Sequence, residues 1–399
     1  MVGCGVAGFT AARKISQSNP QTDISIYTGE GHPYYPRPRL YEVLSGEVEP
    51  REIYMFSKQW YEDRDIHVYT KSEAVEINTE KKEMILKDGS KVNYDKLLLA
   101  NGAHPFVPPI KGAEKEGVFT LRSIHDALSI KEYAEKTVKA IVMGGGLLGL
   151  EFAASLNRSG QEVSVLEINS RLLHRQLDED GADVLKDRIE SLGIEIKLGV
   201  KTEEILGGKK FSGVALDDGR EVPGDLLLIS AGVRSNINLP KESGIEVNRG
   251  VLVNEYLETS VKDIFAAGDV AEFEGRVYGI IPAAVEQAGI AAENILEEEK
   301  RTYEGTIPSN TLKIVGIDLT SIGIVNPEEP RYEEIKKIDR EKGVYKKLVL
   351  EEGKIVGAIV LGEMKGAASI KRLIEQKIDV TDYKHSILKD DFNFKDILK

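Results

Sequence analysis

Two glycine-rich stretches decide the fold of this chain: Gly3-Cys4-Gly5-Val6-Ala7-Gly8 at its start and Gly144-Gly145-Gly146-Leu147-Leu148-Gly149 in its middle. Each has the G-x-G-x-x-G spacing, runs into a helical pattern and is followed by a β-like stretch. In a dinucleotide site the first glycine makes a tight turn, the second admits a pyrophosphate and the third allows close helix–strand packing. One such motif is a weak signal. Two in 399 residues predict two dinucleotides, as in proteins that pass electrons between a nicotinamide and a flavin.

The second stretch is the more complete of the two. A buried strand is predicted before it, at residues 140–143, and the helix predicted over 147–159 points its N-terminal amides at a pyrophosphate. The next strand ends at Glu167, 23 residues after Gly144. A carboxylate there accepts hydrogen bonds from both ribose hydroxyls and repels a 2′-phosphate. The sequence therefore favours NADH over NADPH, and the nearby Arg171 weakens that preference.

The first stretch lacks its leading strand. Only Met1 and Val2 precede it, so we expect that a few apolar residues of a central strand are missing, through a mis-assigned start or a clipped terminus. After the helix, a strand predicted at residues 24–27 leads to Glu30. We take Glu30 as the candidate ribose acid of this site, although a carboxylate is more usual at positions 28 and 29.

The chain repeats one plan in its two halves. In each half an Asp-Gly turn predicts a hairpin of two strands, and we assign an apolar stretch as the second strand, at residues 97–99 and 226–229. Such repetition implies two related nucleotide-binding halves. An apolar strand predicted in the stretch 261–269, which ends in Gly-Asp, and a helix opened by Pro282 then return the chain to the first domain, so that the second domain is inserted.

Composition and charge narrow the functional classes. The chain has 41% hydrophobic and 30% charged residues and a formal net charge of −13, which disfavours nucleic acid and anionic membrane as partners. Its apolar runs are too short to span a bilayer and no signal peptide is visible, so we expect a cytoplasmic protein. The single cysteine, Cys4, allows no intramolecular disulfide. The six histidines show no metal-ligand spacing, and no metal site is predicted.

Five motifs together resemble one known family. They are the two glycine stretches and the segments YPRPRL (35–40), LANGA (99–103) and IFAAGDV (264–270). Over its whole length the chain resembles the FAD-dependent pyridine-nucleotide-disulfide oxidoreductase superfamily, in the branch that lacks a redox disulfide. Within it, the chain most resembles NADH:rubredoxin oxidoreductases and the flavin-binding part of assimilatory NAD(P)H nitrite reductases.

The resemblance implies an α/β fold with two Rossmann-like dinucleotide-binding domains and a small α+β C-terminal domain. We predict a discontinuous FAD-binding domain at residues 1–110 and 240–305, with the NAD(P)H-binding domain inserted at 111–239. The C-terminal domain takes residues 306–399, and its charged tail, from 379 onward, is expected to be loosely held.

The resemblance also implies which residues bind FAD. Asp269 would hydrogen-bond the ribityl chain, and Arg37 would contact the flavin. The helix opened by Pro282 would stabilise the anion of the reduced flavin through its dipole. The candidate FAD ligands are Gly3, Gly5, Val6, Ala7, Gly8, Glu30, Arg37, Ala100, Gly102, Asp269 and Pro282.

The candidate NAD ligands follow the second stretch. They are Gly144, Gly146, Leu147, Gly149, Glu151, Glu167 and Gly232. Glu151 resembles the residue that borders the contact between nicotinamide and flavin. Many relatives carry Lys where Glu42 stands, paired with the residue matching Glu151. Here two acids would face one another, so either the pairing is absent or one acid has a raised pKa.

No catalytic residue is assigned, because hydride passes from NADH to the flavin while the protein aligns them. The absent dithiol excludes a disulfide reductase, and no cysteine stands near residues 43–45, where peroxidases and oxidases of the superfamily carry one. The expected function is NADH-dependent electron transfer to a small carrier such as rubredoxin or ferredoxin, by a monomer or homodimer. Alternatives are a flavin subunit that delivers electrons to a nitrite reductase or to oxygen, and an NADH-binding flavoprotein of low turnover.

Overall fold

The computed structural model describes residues 1–297, 300–363 and 365–398. These residues form nine α-helices: α1 Val6–Ser18, α2 Leu40–Leu44, α3 Lys58–Glu62, α4 Ile124–Ala134, α5 Leu147–Arg158, α6 Glu179–Glu190, α7 Asn238–Glu242, α8 Ile281–Leu296 and α9 Ala367–Glu375. Within those ranges, no helix has the length and apolar character needed to cross a membrane.

The described residues also form 24 strands. They are β1 Ile24–Tyr27, β2 Ile66–Tyr69, β3 Ala74–Asn78, β4 Glu83–Leu86, β5 Lys91–Asn93, β6 Leu97–Leu99, β7 Ala103–Pro105, β8 Val118–Phe119, β9 Lys139–Met143, β10 Glu162–Glu167, β11 Glu195–Leu198, β12 Thr202–Leu206, β13 Gly213–Leu216, β14 Glu221–Pro223, β15 Leu226–Ile229, β16 Val233–Ser235, β17 Val251–Val253, β18 Ile264–Ala266, β19 Ala271–Phe273, β20 Ser309–Ile314, β21 Ile317–Gly323, β22 Glu333–Asp339, β23 Val344–Glu351 and β24 Lys354–Leu361.

The chain forms two compact units. The first contains residues 1–106, 122–125 and 233–306, and the second contains 107–121, 126–232 and the chain from 307 onward. The short segment 122–125 therefore belongs to the first unit, although the sequence on both sides of it belongs to the second. The predicted division into three domains, with their boundaries, stays a prediction.

A parallel sheet forms the centre of the first unit, in the order β2, β1, Val2, β6 and β18. Val2 takes the central position by pairing with Leu99 and Tyr27. The strands alternate between two apolar layers: Leu98 of β6 packs on the α1 and α8 side, whereas Leu97 and Leu99 pack on the other side with β3 and β4. Alanines allow the two helices to pack closely there: Ala11, Ala12, Ala284, Ala288 and Ala291.

The second unit repeats this plan. Its parallel sheet has the order β11, β10, β9, β15 and β8, so β9 takes the position that Val2 takes in the first sheet. Strands β12, β13 and β14 form a small antiparallel sheet, as β3, β4 and β5 do in the first unit. The α/β class with two Rossmann-like halves is thereby confirmed, and five antiparallel strands in the order β20, β21, β24, β23 and β22 form the remaining sheet.

The predicted hairpins are wrong in one respect. The turn at Gly89 joins β4 to β5 and the turn at Gly219 joins β13 to β14, and both glycines have positive φ, +85° and +84°. The apolar strands β6 and β15 are not the hairpin partners but lie in the parallel sheets. A tight turn pairs the strands directly beside it, whereas a strand that is apolar on both faces fits a sheet covered on both sides.

The C-terminal tail is not loosely held, contrary to expectation. Val380, Ile387 and Leu388 are buried against α9 and the strands β23 and β24. The charged residues of the tail alternate with these apolar residues, so the tail covers one face of the antiparallel sheet.

A buried charge cluster joins the five-stranded antiparallel sheet of the second unit to α6. Asp178 caps the N-terminus of α6 by accepting from the N–H of Gly181 at 3.1 Å. Its other oxygen accepts from the Tyr345 hydroxyl at 2.6 Å and from Lys347 at 3.0 Å. Lys347 also pairs with Glu334 at 2.7 Å, and its side chain is only 2% exposed.

Candidate dinucleotide-binding sites

Close backbone contacts require glycine at two positions of the first stretch. Gly3 has a φ of +101°, and a Cβ there would lie 2.3 Å from the carbonyl oxygen of Ala100. A Cβ at Gly8 would lie 2.1 Å from the carbonyl oxygen of Gly3. No side chain fits at these distances, so the first glycine packs against the end of β6 and the third brings α1 against the turn.

The second stretch has the same geometry. Gly144 has a φ of +117°, and a Cβ there would lie 2.3 Å from the carbonyl oxygen of Ser230. A Cβ at Gly149 would lie 2.1 Å from the carbonyl oxygen of Gly144. The two loops are thus built in the same way, which is what two sites for the same class of ligand require.

The middle glycine of each stretch is different, because it faces open space. A Cβ at Gly5 or Gly146 would meet no atom within 4 Å. These residues are the N-caps of α1 and α5, and no side chain caps either helix, whereas Asp178 caps α6. An uncapped N-terminus approached through a glycine offers amides and a positive dipole end to an anion, so both sites fit a pyrophosphate. Their first turns contain three further candidate ligands: Val6, Ala7 and Leu147.

Two more candidate ligands lie at equivalent places. Gly102 follows β6 and Gly232 follows β15, and both have positive φ, +65° and +96°. Ala100 and Ser230, which contact the first glycines, stand two residues before them. The ends of β6 and β15 therefore lie beside the glycine loops.

A charge network connects three candidate residues with Tyr35 and with Arg122, which the sequence analysis missed. Arg37 donates to Glu30 at 2.7 Å, and the Tyr35 hydroxyl donates to the same carboxylate. Arg37 also donates to the carbonyl oxygen of Arg122, whose guanidinium donates to Asp269 at 2.8 Å. Burial lowers the pKa of Arg37, but its interactions with Glu30, Tyr35 and Asp269 together outweigh burial and leave the pKa raised. Burial and the neighbouring Arg37 lower the pKa of Arg122.

Arg122 was missed because the sequence around it belongs to the other half of the chain. It lies in the segment 122–125, within the range assigned to the NAD(P)H-binding domain, yet it belongs to the first unit. The N–H of Ile124 donates to the Tyr35 hydroxyl at 3.3 Å and helps to hold this segment. No local pattern in the sequence indicates that the segment 122–125 belongs to the first unit.

Asp269 lies where several elements of the first unit meet. The preceding Gly268 has a φ of +83°, its N–H donates to Gln287 of α8 at 2.9 Å, and a Cβ on it would lie 2.9 Å from the Cβ of Ala7 in α1. The Ser235 hydroxyl donates to the carbonyl oxygen of Asp269 at 2.7 Å. Pro282 stands in the first turn of α8, where the sequence predicted it. No side chain caps this helix.

The equivalent residue of Glu167 in the first unit is Thr28. One hydrogen bond marks the matching positions: Gly3 N–H to the Tyr27 carbonyl and Gly144 N–H to the Leu166 carbonyl, both 2.8 Å long. Thr28 and Glu167 are the next residues along the chain, and Glu30 lies two residues further. The candidate ribose acid of the first site, Glu30, therefore lies two residues beyond the backbone position that corresponds to Glu167.

The carboxylate of Glu167 is buried and hydrogen-bonded on both oxygens. The residue is 6% exposed. Its Oε2 accepts from the N–H of Gly145 at 2.7 Å, and its Oε1 accepts from the N–H of Asn169 at 2.8 Å and from the Asn169 side-chain amide at 2.5 Å. All these donors belong to the loops that surround the second glycine stretch.

Arg171, which was expected to weaken the preference for NADH, is engaged elsewhere. Its guanidinium donates to the carbonyl oxygens of Leu177 and His174, at 3.3 and 3.4 Å. Both bonds are long, so they orient the guanidinium only weakly.

The two acids that were expected to face one another each have a partner within their own unit. Glu42 accepts from Arg39 at 2.8 and 2.6 Å. Glu151, in α5 just beyond its first turn, accepts from the N–H of Val315 at 3.0 Å. Val315 stands in the two-residue turn between β20 and β21, so this turn contacts the helix that carries the second glycine stretch.

Cys4 is a poor candidate for redox chemistry. Burial raises the pKa of its thiol to about 12, and the thiolate is the reactive form. Among the described residues, no group of three or more His, Cys, Asp or Glu side chains is arranged to hold a metal ion.

Comparison with known proteins agrees with this geometry. Residues 1–288 match the pyridine nucleotide-disulphide oxidoreductase family, and residues 308–378 match the rubredoxin NAD+ reductase C-terminal domain. The chain is 37% identical over 384 residues to nitrite reductase (NAD(P)H) of Bacillus subtilis, covering 96% of this chain and 48% of that protein. The chain spans about half the length of this relative and of the assimilatory nitrate reductase electron transfer subunit of the same organism.

A second relative is similar along nearly its whole length. The chain is 35% identical over 378 residues to NADH-rubredoxin oxidoreductase of Clostridium acetobutylicum, covering 94% of this chain and 93% of that protein. The solved structure of NADH:rubredoxin oxidoreductase from that organism matches with a TM-score of 0.78 at 34% identity, covering 95% of each chain. The resemblance drawn from the motifs is confirmed: this chain belongs to the pyridine nucleotide-disulphide oxidoreductase family.

Proposed function

We propose that this chain binds FAD and a reduced pyridine nucleotide, NADH in preference to NADPH, and passes electrons to a small carrier protein such as rubredoxin. The duplicated loop geometry carries the proposal, because each loop combines two glycines that packing requires with one that faces open space. Two uncapped helices of this kind suit two pyrophosphates. The similarity to NADH-rubredoxin oxidoreductase over nearly the full length of both chains supports the choice of acceptor.

The first unit would hold FAD. The amides of Gly5, Val6 and Ala7 open α1 towards the pyrophosphate, while Gly3, Gly8, Ala100 and Gly102 shape the loop that admits it. Arg122 adds a cation beside Asp269, and Arg37 fixes Glu30. Pro282 opens α8, whose N-terminal end favours nearby negative charge. Bound FAD would supply the hydride acceptor.

The second unit would hold the nucleotide. The amides of Gly146 and Leu147 open α5 towards its pyrophosphate, and Gly144, Gly149 and Gly232 shape the loop. Glu167 would accept from the adenosine ribose, and its buried charge disfavours a 2′-phosphate. Glu151 would lie near the nicotinamide, held by the N–H of Val315.

A second candidate is delivery of electrons to a nitrite reductase. It is favoured by the identity of 37% to the Bacillus subtilis nitrite reductase, in which the matched part is about half of the protein. Transfer to oxygen, as in an NADH oxidase, and NADH binding with little turnover are further alternatives that the acceptor assay below separates.

The test is an anaerobic rapid-mixing experiment on the purified yellow protein. We expect NADH to bleach the flavin absorbance within seconds, NADPH to do so more slowly, and rubredoxin to restore the colour faster than ferredoxin or oxygen. Restoration by oxygen alone would favour an oxidase, and a stable charge-transfer band with slow bleaching would favour a binding protein. A colourless protein that takes up no added flavin would refute the proposal.

A further inference from the structure

The hydrogen bonds around Glu167 assign a role to a residue outside the glycine stretch. We propose that Asn169 is a positioning residue that sets the preference for NADH over NADPH by fixing the carboxylate of Glu167. The inference rests on the proposed function of the second unit as a pyridine-nucleotide site. It goes beyond that function by naming what holds the ribose acid in place.

The number of acceptor positions limits what Glu167 can bind. An ionised carboxylate has about four lone-pair positions. Three are taken by the N–H of Gly145 and by the two donors of Asn169. One position is left, so Glu167 can accept from one ribose hydroxyl and not from both as the sequence predicts, and the 2′-hydroxyl of NADH supplies that proton. A 2′-phosphate offers mainly negative charge to a buried negative group and is repelled.

Asn169 is itself held by backbone hydrogen bonds from the segment that follows β11. Its carbonyl oxygen accepts from the N–H of Gly199 at 2.9 Å, and the carbonyl oxygen of Glu167 accepts from the N–H of Val200 at 3.1 Å. The amide of Asn169 therefore approaches Glu167 from an anchored backbone. A free glutamate side chain would lose rotamer freedom on binding ribose, whereas this one is already ordered.

The opposite side of the carboxylate is also confined. A Cβ at Gly145 would lie 2.6 Å from Leu172 Cδ2 and 3.2 Å from Glu167 Oε2. Gly145 occupies a variable position of the G-x-G-x-x-G motif, so the motif itself does not require glycine there. The close approach of Leu172 and Glu167 supplies the reason. With Gly145 on one side and Asn169 on the other, the charge cannot turn away from an incoming 2′-phosphate.

Loss of the Asn169 amide should release this constraint. In Asn169→Ala the backbone N–H bond to Glu167 survives, but the 2.5 Å side-chain bond is lost. We expect the preference for the unphosphorylated nucleotide to fall about tenfold in Asn169→Ala, the scale of one hydrogen bond to a charged group.

The test measures binding as well as turnover. The oxidised holoprotein is titrated by calorimetry with ADP-ribose and with 2′-phospho-ADP-ribose, and KM and kcat are measured for NADH and NADPH with ferricyanide. Ser170→Ala, a change at the exposed neighbouring residue, is the matched control and should keep the wild-type ratio of affinities. We expect Asn169→Ala to raise the KM for NADH while kcat stays unchanged.

Two results overturn the inference, and they are distinguishable. If Asn169→Ala melts at the wild-type temperature and keeps the wild-type ratio of the two affinities, Asn169 does not set selectivity, and the proposed function stands. If the wild-type holoprotein binds neither ADP-ribose nor its phosphate, the proposed function of this unit fails and the inference fails with it.

Discussion

Arg122 Nη2 lies 2.8 Å from Asp269 Oδ2 although the two residues are 147 positions apart in the chain. The pair joins a four-residue segment, 122–125, to the loop that follows β18. Both side chains are mostly buried, with 19% and 23% exposed. A partly buried ion pair of this kind is lost only at a cost, since either partner left alone keeps an uncompensated charge.

We expect Arg122→Leu to weaken FAD binding by about ten- to a hundredfold, the range for a hydrogen bond to a charged group. Without Arg122, the negative charge of Asp269 would no longer be compensated and would repel the anionic cofactor. Fluorescence titration of the apoprotein with FAD measures the dissociation constant. Arg122→Lys keeps the charge and is the control. Equal affinities for wild type and Arg122→Leu would remove Arg122 from the site.

The glycine stretches allow binding and folding to be separated. We expect Gly146→Ala to leave the melting temperature unchanged, because a Cβ there meets no atom within 4 Å, but to weaken NADH binding, because the methyl group fills the approach to the amides of α5. Gly149→Ala should instead lower the melting temperature, since its Cβ would lie 2.1 Å from the carbonyl oxygen of Gly144. The same outcome for both variants, by thermal melting and NADH titration, would contradict the assigned roles.

The cluster around Asp178 makes stability depend on pH. Burial alone would raise the pKa of Asp178, but hydrogen bonds from Tyr345, Lys347 and Gly181 outweigh it and hold the pKa below its ordinary value. The folded pKa is thus lower than the unfolded value of about 3.9. The ionised carboxylate therefore stabilises the fold above about pH 4, and this contribution is lost as the pH falls through the folded pKa.

We expect Asp178→Asn to cost about 2–3 kcal/mol near neutral pH, the upper range for a hydrogen bond to a charged group. The cost stays below that of a fully orphaned charge because Lys347 keeps Glu334. Melting temperatures of wild type and Asp178→Asn should converge below about pH 4. A constant difference across the whole pH range would show that the charge of Asp178 is not what stabilises the cluster.

The turn between β20 and β21 holds strain at Val315. Its φ is +53° and that of Gly316 is +79°, the signs of a type I′ turn, for which Asn-Gly is preferred. A β-branched residue at positive φ is unusual and costs about 1–2 kcal/mol. We expect Val315→Asn to raise the melting temperature. The variant keeps the backbone N–H that donates a hydrogen bond to Glu151. A lower melting temperature, with circular dichroism unchanged, would show that the Val315 side chain contributes more than its backbone costs.

The sequence predicted the parts of the site that depend on local backbone geometry. The contacts of Gly3 and Gly144 follow from motif spacing, because a tight turn before a helix needs glycine wherever it occurs. The position of Glu167 beside the second glycine loop could be predicted because Glu167 ends the next strand. Arg122 was not found, since its partner Asp269 is brought to it by the fold and not by spacing. The contact of Asn169 with Glu167 could not be predicted either, because an amide two residues beyond an acid is common in loops.

The strand pairing was predicted less well, because pairing is also set by the fold and not by spacing along the sequence. The Asp-Gly turns were placed correctly, but β6 and β15 were given the wrong neighbours, because a run of buried residues does not say which strand it joins. The buried residues of the C-terminal tail were missed because their charged neighbours dominate its composition.

The placement of Arg122 limits how the protein can be divided into pieces. A fragment cut at residues 107 and 232 to express the second half alone would carry segment 122–125 with it, and the remaining pieces would lack Arg122. Fusing residue 106 directly to residue 233 would therefore give a shortened flavin-binding half with a partial site, and a linker that restores residues 122–125 would be needed to recover it.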